Sequence, residues 1–304
     1  MDWGVSMITN THIDFLRLRS VCTVFSLALI ASFAGMFFYQ RAKHGEAFSY
    51  SIDFTGGTQA LYKFAKPVST IEIKDILEKA GFPNVIARDF SADEVLVRVK
   101  EFSDDAKGLA ESMREKISAG LTDNSVQLLQ SEAVGESVGA VLRSKSLYAV
   151  IFAILALLFY IAFTFWSFGF ALGAIAALLH DTIAMLALCL FFRLEISMTL
   201  IGAVMAILGY SVNDTIVIFA QIKKNIKQMR GASLYEIVNT SLNQTLRRTL
   251  LTSIATVLVV SSMLIFGGEA LREFSLVLLI GVIFGTYSSI YIASPVMMLF
   301  SRNK

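Results

Sequence analysis

Six stretches of this chain are apolar enough and long enough to cross a bilayer, which commits the fold to a helical membrane protein before any motif is considered. A hydrocarbon core about 30 Å thick takes roughly 20 helical residues, each rising about 1.5 Å. The stretches are residues 18–39, 147–165, 168–192, 198–222, 249–266 and 274–300. Of the 304 residues, 55% are hydrophobic and only 16% charged, so an ordinary soluble protein is excluded. Only Trp166 and Ser167 separate the second and third stretches, which predicts a tight turn at the membrane surface. Arg17 and Arg19 precede the first stretch, and Ser32-Phe33-Ala34 has the small-residue look of a signal cleavage site. The apolar run continues to Tyr39, so an uncleaved signal anchor is expected.

Basic residues near span ends set orientation, because cytoplasmic segments keep an excess of Lys and Arg. The connection between the fourth and fifth spans holds Lys223, Lys224, Lys227, Arg230, Arg247 and Arg248 against one acid, Glu236. Arg17, Arg19, Arg302 and Lys304 lie toward the chain ends. With six spans these three clusters share one side. Residues 1–17 and 301–304 are therefore expected in the cytoplasm, and residues ~40–146 outside, across the membrane. A net charge of +2 does not suggest a nucleic-acid partner. The two cysteines, Cys22 and Cys189, both lie in apolar runs and build neither a disulfide framework nor a metal site.

Residues 45–142 change composition to that of a water-soluble domain. Strand patterns occur at 50–54, 59–64, 85–90, 94–99 and 126–130, and helices are expected at 70–80, after Pro67 and Ser69, and at 104–119. The order strand, helix, strand, strand, helix, strand, with an extra hairpin partner in front, predicts an α+β ferredoxin-like domain. Thr55-Gly56-Gly57-Thr58 reads as a hairpin turn exploiting glycine at positive φ. With no nucleophile motif, phosphate loop or His/Cys cluster, the domain reads as a binding or mechanical module.

Ionisable residues within a span cost roughly 2.5–3.5 kcal/mol each on insertion, so Asp181, beside His180 in the third span, and Asp214 in the fourth are candidate functional groups. At about 1.5 Å per residue, Asp214 lies roughly 12–14 Å and Asp181 roughly 18–20 Å from the cytoplasmic ends, so the two can share a polar layer. Gly202, Ala206, Gly209 and Asn213 form a stripe on which another helix can approach closely, with Asp214 beside it. Arg248, Thr252 and Thr256 follow at spacings of four on the fifth span, a polar line headed by a fixed positive charge. Gly281, Gly285 and Ser288 make a tight face on the sixth. A carboxyl in such a seam resists ionisation, and a guanidinium brought near favours release of its proton, so Asp214 and Arg248 form a candidate proton-loading pair. Asn213, Asp181, His180, Thr252 and Thr256 support it, and Arg247 reads as a topology anchor.

Several of these motifs recur in order along the chain. Asp53-Phe54-Thr55-Gly56-Gly57-Thr58, His180-Asp181, Gly209-Tyr210-Ser211-Val212-Asn213-Asp214-Thr215-Ile216-Val217, Asn243-Gln244-Thr245-Leu246-Arg247-Arg248-Thr249-Leu250-Leu251-Thr252-Ser253 and Phe266-Gly267-Gly268 together resemble the SecD/SecF family of protein-export membrane proteins, on its SecF side. The resemblance implies an RND-type half of six spans in the inner membrane of a bacterial cell, with residues ~40–146 periplasmic, and no enzymatic activity. It further implies partnership with SecD, association with the SecYEG channel, an unfolded secretory polypeptide as cargo, and YajC, YidC and membrane lipid as further candidate partners. Protons would be the coupling ion, with no cofactor or metal. It places proton conduction on Asp214 and Arg248, and assigns Asp53, Gly56 and Gly57 to the external domain near the membrane. The turn at Trp166 and Ser167 departs from expectation in lacking cytoplasmic basic residues.

Three other functions fit parts of the pattern. An RND-type exporter subunit for lipids or small molecules would use the same spans, although the external domain is small. Two intramembrane aspartates also suggest an aspartyl protease, but Val212-Asn213-Asp214 lacks the Gly-x-Gly-Asp context that such proteases carry. A passive assembly scaffold predicts that Asp214→Asn leaves export unchanged.

Overall fold

The computed structural model describes residues 12–82 and 84–301; Arg302 and Lys304 of the C-terminal basic cluster, and residues 1–11 of the expected cytoplasmic N-terminus, lie outside them. The chain divides into two compact units. One comprises Met1–Ser49, Ala149–Glu195 and Thr199–Lys304, and the other Tyr50–Tyr148 with Ile196–Met198.

Six helical stretches are long and apolar enough to span a membrane. They begin with α1 (Arg19–His44), preceded by a single 3-10 turn at Phe15–Leu18. Leaving the short helices of the other unit for below, the later spans are α5 (Glu136–Phe165), α6 (Phe168–Phe192), α7 (Met198–Gln228), α8 (Leu234–Phe266), and α9 (Gly268–Ser288) continuing into α10 (Ser294–Phe300). Several helices outrun the apolar stretches. α5 starts at Glu136 instead of 147, and α8 at Leu234 instead of 249, because a helix continues through polar turns that hydropathy does not register. The basic connection between the fourth and fifth spans is therefore mostly helix. Its lone acid closes a capping box: Ser233 Oγ accepts the Glu236 N–H at 3.2 Å while Glu236 accepts the Ser233 N–H at 2.9 Å. Ile237, Val238, Ser241, Leu242, Thr245 and Leu246 bury one face of this added segment. The sixth span contains a π-helical turn, Ser289–Ala293. Pro295 follows it with no N–H to give, and the wider turn absorbs the break in the ladder.

The second unit carries β2 (Gly57–Phe64), α3 (Thr70–Lys79), β3 (Ile86–Asp89), β4 (Glu94–Val99), α4 (Ala106–Gly120) and β5 (Val126–Val134). The strands form one antiparallel sheet in the order β3-β4-β2-β5, built on the β-α-β-β-α-β succession expected. Thr58 pairs with Val99, Ala60 with Val97 and Tyr62 with Val95, so period-2 alternation brings these side chains to one face. Ile73 and Leu77 of α3 and Ala110, Met113 and Ile117 of α4 cover that face. Each large apolar side chain so buried contributes about 1.5–3 kcal/mol. Tyr62 is the polar member of this core; its Oη donates to the Ala110 carbonyl at 2.7 Å, and burial pushes the phenol above its ordinary range.

Two local expectations are corrected. Residues 50–54 are not a strand: β1 is only Ser49–Tyr50, and the chain turns at once into α2 (Ile52–Thr55), where Ser51 Oγ accepts the Asp53 N–H at 3.3 Å. Gly56-Gly57 is not a hairpin turn either. Gly56 (φ 73°) ends α2 and Gly57 (φ 114°) starts β2, between strands to which it is not hairpin-connected. The pair is needed for close packing as well as for φ. A Cβ on Gly56 would lie 2.7 Å from Glu136 Cα, and one on Gly57 2.4 Å from the Val99 carbonyl oxygen. Gly57→Ala is accordingly expected to cost about 2–3 kcal/mol. Thermal unfolding of the detergent-solubilised chain checks this, and an unchanged midpoint contradicts the packing argument.

Candidate intramembrane polar site

Asp181, on α6, is wholly buried and tied to two other spans. It accepts from Ser211 Oγ of α7 at 2.5 Å and from Ser288 Oγ of α9 at 2.8 Å, both on Oδ2, while His180 Nδ1 lies 3.3 Å from Oδ1. The helices come close enough because α9 presents glycines. A Cβ on Gly281 would meet Ile207 at 2.6 Å and one on Gly285 would meet Ser211 Cβ at 3.0 Å. His180 is buried against the rings of Phe284 and Tyr287, and its Nε2 has no hydrogen-bond partner among the described residues.

Asp214 is the opposite case. It sits one turn beyond Ser211 on α7, about 4.5 Å further along the axis, with 3% of its surface exposed. Its Oδ2 has no hydrogen-bond partner among the described residues. Among the described residues it forms no ion pair with Arg248 of α8. Arg248 lines a cleft of about 560 Å³ between α7 and α8, together with Asn213, Gln221, Lys224, Gln244 and Thr245. Both Asn213 and Arg248 are exposed to it. At the outer end of this cleft, Asn225 and Gln221 on α7 bond to Ser241 and Gln244 on α8 at 2.6–2.8 Å, bracing the two helices.

Two sequence expectations change here. The hydroxyls of the line headed by Arg248 turn back on their own helix: Thr252 Oγ1 donates to the Arg248 carbonyl at 3.1 Å and Thr256 Oγ1 to that of Thr252 at 2.9 Å. Their protons are engaged locally, although their lone pairs stay available. The stripe of Gly202, Ala206, Gly209 and Asn213 is exposed throughout, and nothing lies within 4 Å of a Cβ built on Gly202 or Gly209. No helix among the described residues closes on it, since α9 packs on the adjoining face through Ile207 and Ser211.

Ser211 and Ser288 were visible in the sequence as motif and tight-face members, but their bonds to Asp181 were not. The relay Tyr210 Oη to Ser253 Oγ at 3.1 Å, and Ser253 to Thr286 at 2.7 Å, joins α7, α8 and α9 and was missed altogether. The available signal was a hydroxyl on each of three apolar spans, each requiring a partner. No cluster of metal-binding side chains occurs among the described residues.

Asp53 belongs to the other unit. Its Oδ2 accepts from Ser51 Oγ and from the backbone N–H of Met198, both at 3.0 Å. Met198 lies in the same unit and is the first residue of α7, so Asp53 satisfies one of the amides that open that helix.

Comparison with known proteins matches residues 114–303 to the family described as "Protein export membrane protein SecD/SecF, C-terminal" and residues 47–68 to the "SecD/SecF GG Motif". The protein translocase subunit SecF of Pseudomonas aeruginosa is 36% identical over 287 residues, 94% of this chain and 90% of that protein. That of Escherichia coli O157:H7 is 39% identical over 249 residues, 81% and 77% of the two chains. The crystal structure of SecDF, a translocon-associated membrane protein from Thermus thermophilus, superposes with a TM-score of 0.86 at 33% identity, covering 97% of this chain. A crystal structure of SecDF in a super-membrane-facing form gives 0.67 at 32% identity. This chain spans only 39% of each of those solved chains.

Proposed function

The chain belongs to the SecD/SecF family of protein-export membrane proteins, and on that premise we propose that it works with SecD to couple the proton-motive force to movement of secretory polypeptides through the SecYEG channel. Asp214 takes up and releases a proton, and Arg248 is the counter-charge that favours release. The observation that carries this reading is a buried carboxylate whose Oδ2 has no hydrogen-bond partner among the described residues, next in sequence to Asn213, which lines the α7–α8 cleft together with the Arg248 guanidinium. A permanent structural role would have supplied that oxygen with a donor, as it has for Asp181. One charge crossing 100 mV is worth about 2.3 kcal/mol, so a few protons per cycle suffice to reset an attached domain. The protein lies in the bacterial inner membrane with both termini in the cytoplasm. The β-sheet unit is then periplasmic and grips, or blocks the return of, the emerging chain. YajC and YidC are further candidate partners. Export into inner-membrane vesicles, measured with and without a collapsed proton gradient, tests the reading. Gradient stimulation that depends on this chain is expected, and stimulation equal in its absence contradicts it.

The bare stripe on α7 supports SecD as the partner. A span with Gly202, Ala206 and Gly209 open on one face, and no helix among the described residues to cover them, is suited to a close helix–helix contact with another subunit. Gly209→Leu is expected to abolish co-purification with SecD while the chain itself still accumulates in the membrane. Undiminished co-purification would move the interface elsewhere.

A further inference from the structure

We propose that the cleft between the C-terminal ends of α5 and α7 binds one anionic phospholipid, whose phosphate is held by Lys224 and Lys227. The cleft measures about 480 Å³. Phe165, Ile216 and Ala220 give it an apolar floor, Lys223, Lys224 and Lys227 a basic rim, and no acid lines it.

The three lysines are not equivalent. Lys223 Nζ donates to the carbonyls of Thr164 and Phe165, each at 3.2 Å, and stands 5.6 Å from the centre of the Phe165 ring. It thus closes the end of α5, where carbonyls lack helical partners and the helix dipole is negative. It also supplies from α7 the basic group missing from the turn at Trp166 and Ser167. Lys224 and Lys227, three residues apart and so on one helix face, are exposed and form no ion pair among the described residues. Among the described residues they are two cations without a paired carboxylate.

The depth of the cleft selects the ligand. Trp166, next to the floor residue Phe165, is 80% exposed, and Phe163 and Phe168 are exposed beside it. Exposed aromatics at a span end mark the headgroup level of a bilayer. A ligand seated there meets fixed positive charge at the rim and hydrocarbon-like surface below. An anionic glycerophospholipid offers both. Free phosphate answers only the rim, and a zwitterionic lipid brings a competing cation to it. Basic pockets between spans at this depth are known to take lipid phosphate groups.

The test is native mass spectrometry of the full chain released from mild detergent after incubation with phosphatidylglycerol or phosphatidylcholine. The native chain is expected to retain one phosphatidylglycerol and no phosphatidylcholine. The double substitution Lys224→Gln with Lys227→Gln should weaken retention roughly thirtyfold, whereas Lys224→Arg with Lys227→Arg preserves it. Equal retention by the glutamine variant, equal retention of phosphatidylcholine, or displacement of the lipid by millimolar inorganic phosphate would each overturn the assignment. So would a thiol at Lys227→Cys that bilayers containing phosphatidylglycerol leave reactive and only a co-expressed partner chain protects, which would make this face a protein interface.

Discussion

Asp214→Asn is expected to abolish gradient-dependent stimulation of export while leaving the protein as stable as the native chain. The two halves of this expectation come from one observation. The carboxylate Oδ2 has no donor to lose, and asparagine fills the same volume without titrating. Stability changes of less than about 0.5 kcal/mol are typical where no partner is removed. Function responds differently, because an amide cannot load a proton at any pH of interest. Export assayed in vesicles before and after collapse of the gradient reports the first half, and thermal unfolding in detergent the second. Stimulation retained by the variant would return Asp214 to a packing role and favour a passive scaffold.

Asp181→Ala is expected to do the reverse. It removes the acceptor shared by Ser211 and Ser288 at the meeting of three spans, strands the buried Ser211 hydroxyl, leaves Ser288 only the Gly285 carbonyl, and leaves His180 Nδ1 without its carboxylate. Each stranded buried group costs about 1–3 kcal/mol, so a total near 3–5 kcal/mol is expected, enough to lower accumulation in the membrane sharply. Asp181→Asn should recover part of the loss, because an amide oxygen still accepts from one serine. If Asp181→Ala accumulates and unfolds like the native chain, the hydroxyl bonds do not hold the helices together.

The contrast between the two aspartates marks where sequence reading reaches its limit. That both are buried in spans follows from hydropathy and register alone, as do the six spans themselves. Which one is satisfied depends on Ser288, more than a hundred positions from Asp181 along the chain, and on glycines at 281 and 285 that bring its helix within reach. Spacing along one helix does not contain that information. The polar ends of α5 and α8 escape hydropathy for another reason: the helices continue through polar turns, and at Leu234 the first turns are stabilised by a capping box and one buried face, not by an apolar run. At Gly56-Gly57 the glycine signal was real, but two causes demand glycine there, positive φ and the approach of Glu136 and Val99, and the sequence displays only the residue. The stripe at Gly202 to Asn213 was correctly read as small and continuous.

Proton movement through the complex itself tests the central claim most directly. The chain and SecD would be reconstituted in liposomes, a pH gradient imposed, and proton flux followed with an internal dye for the native pair, Asp214→Asn and Arg248→Met at equal protein. The account predicts flux in the native pair and background leak in both variants, with the complex still assembled. Flux in Asp214→Asn equal to that of the native pair would contradict it and place the proton path elsewhere.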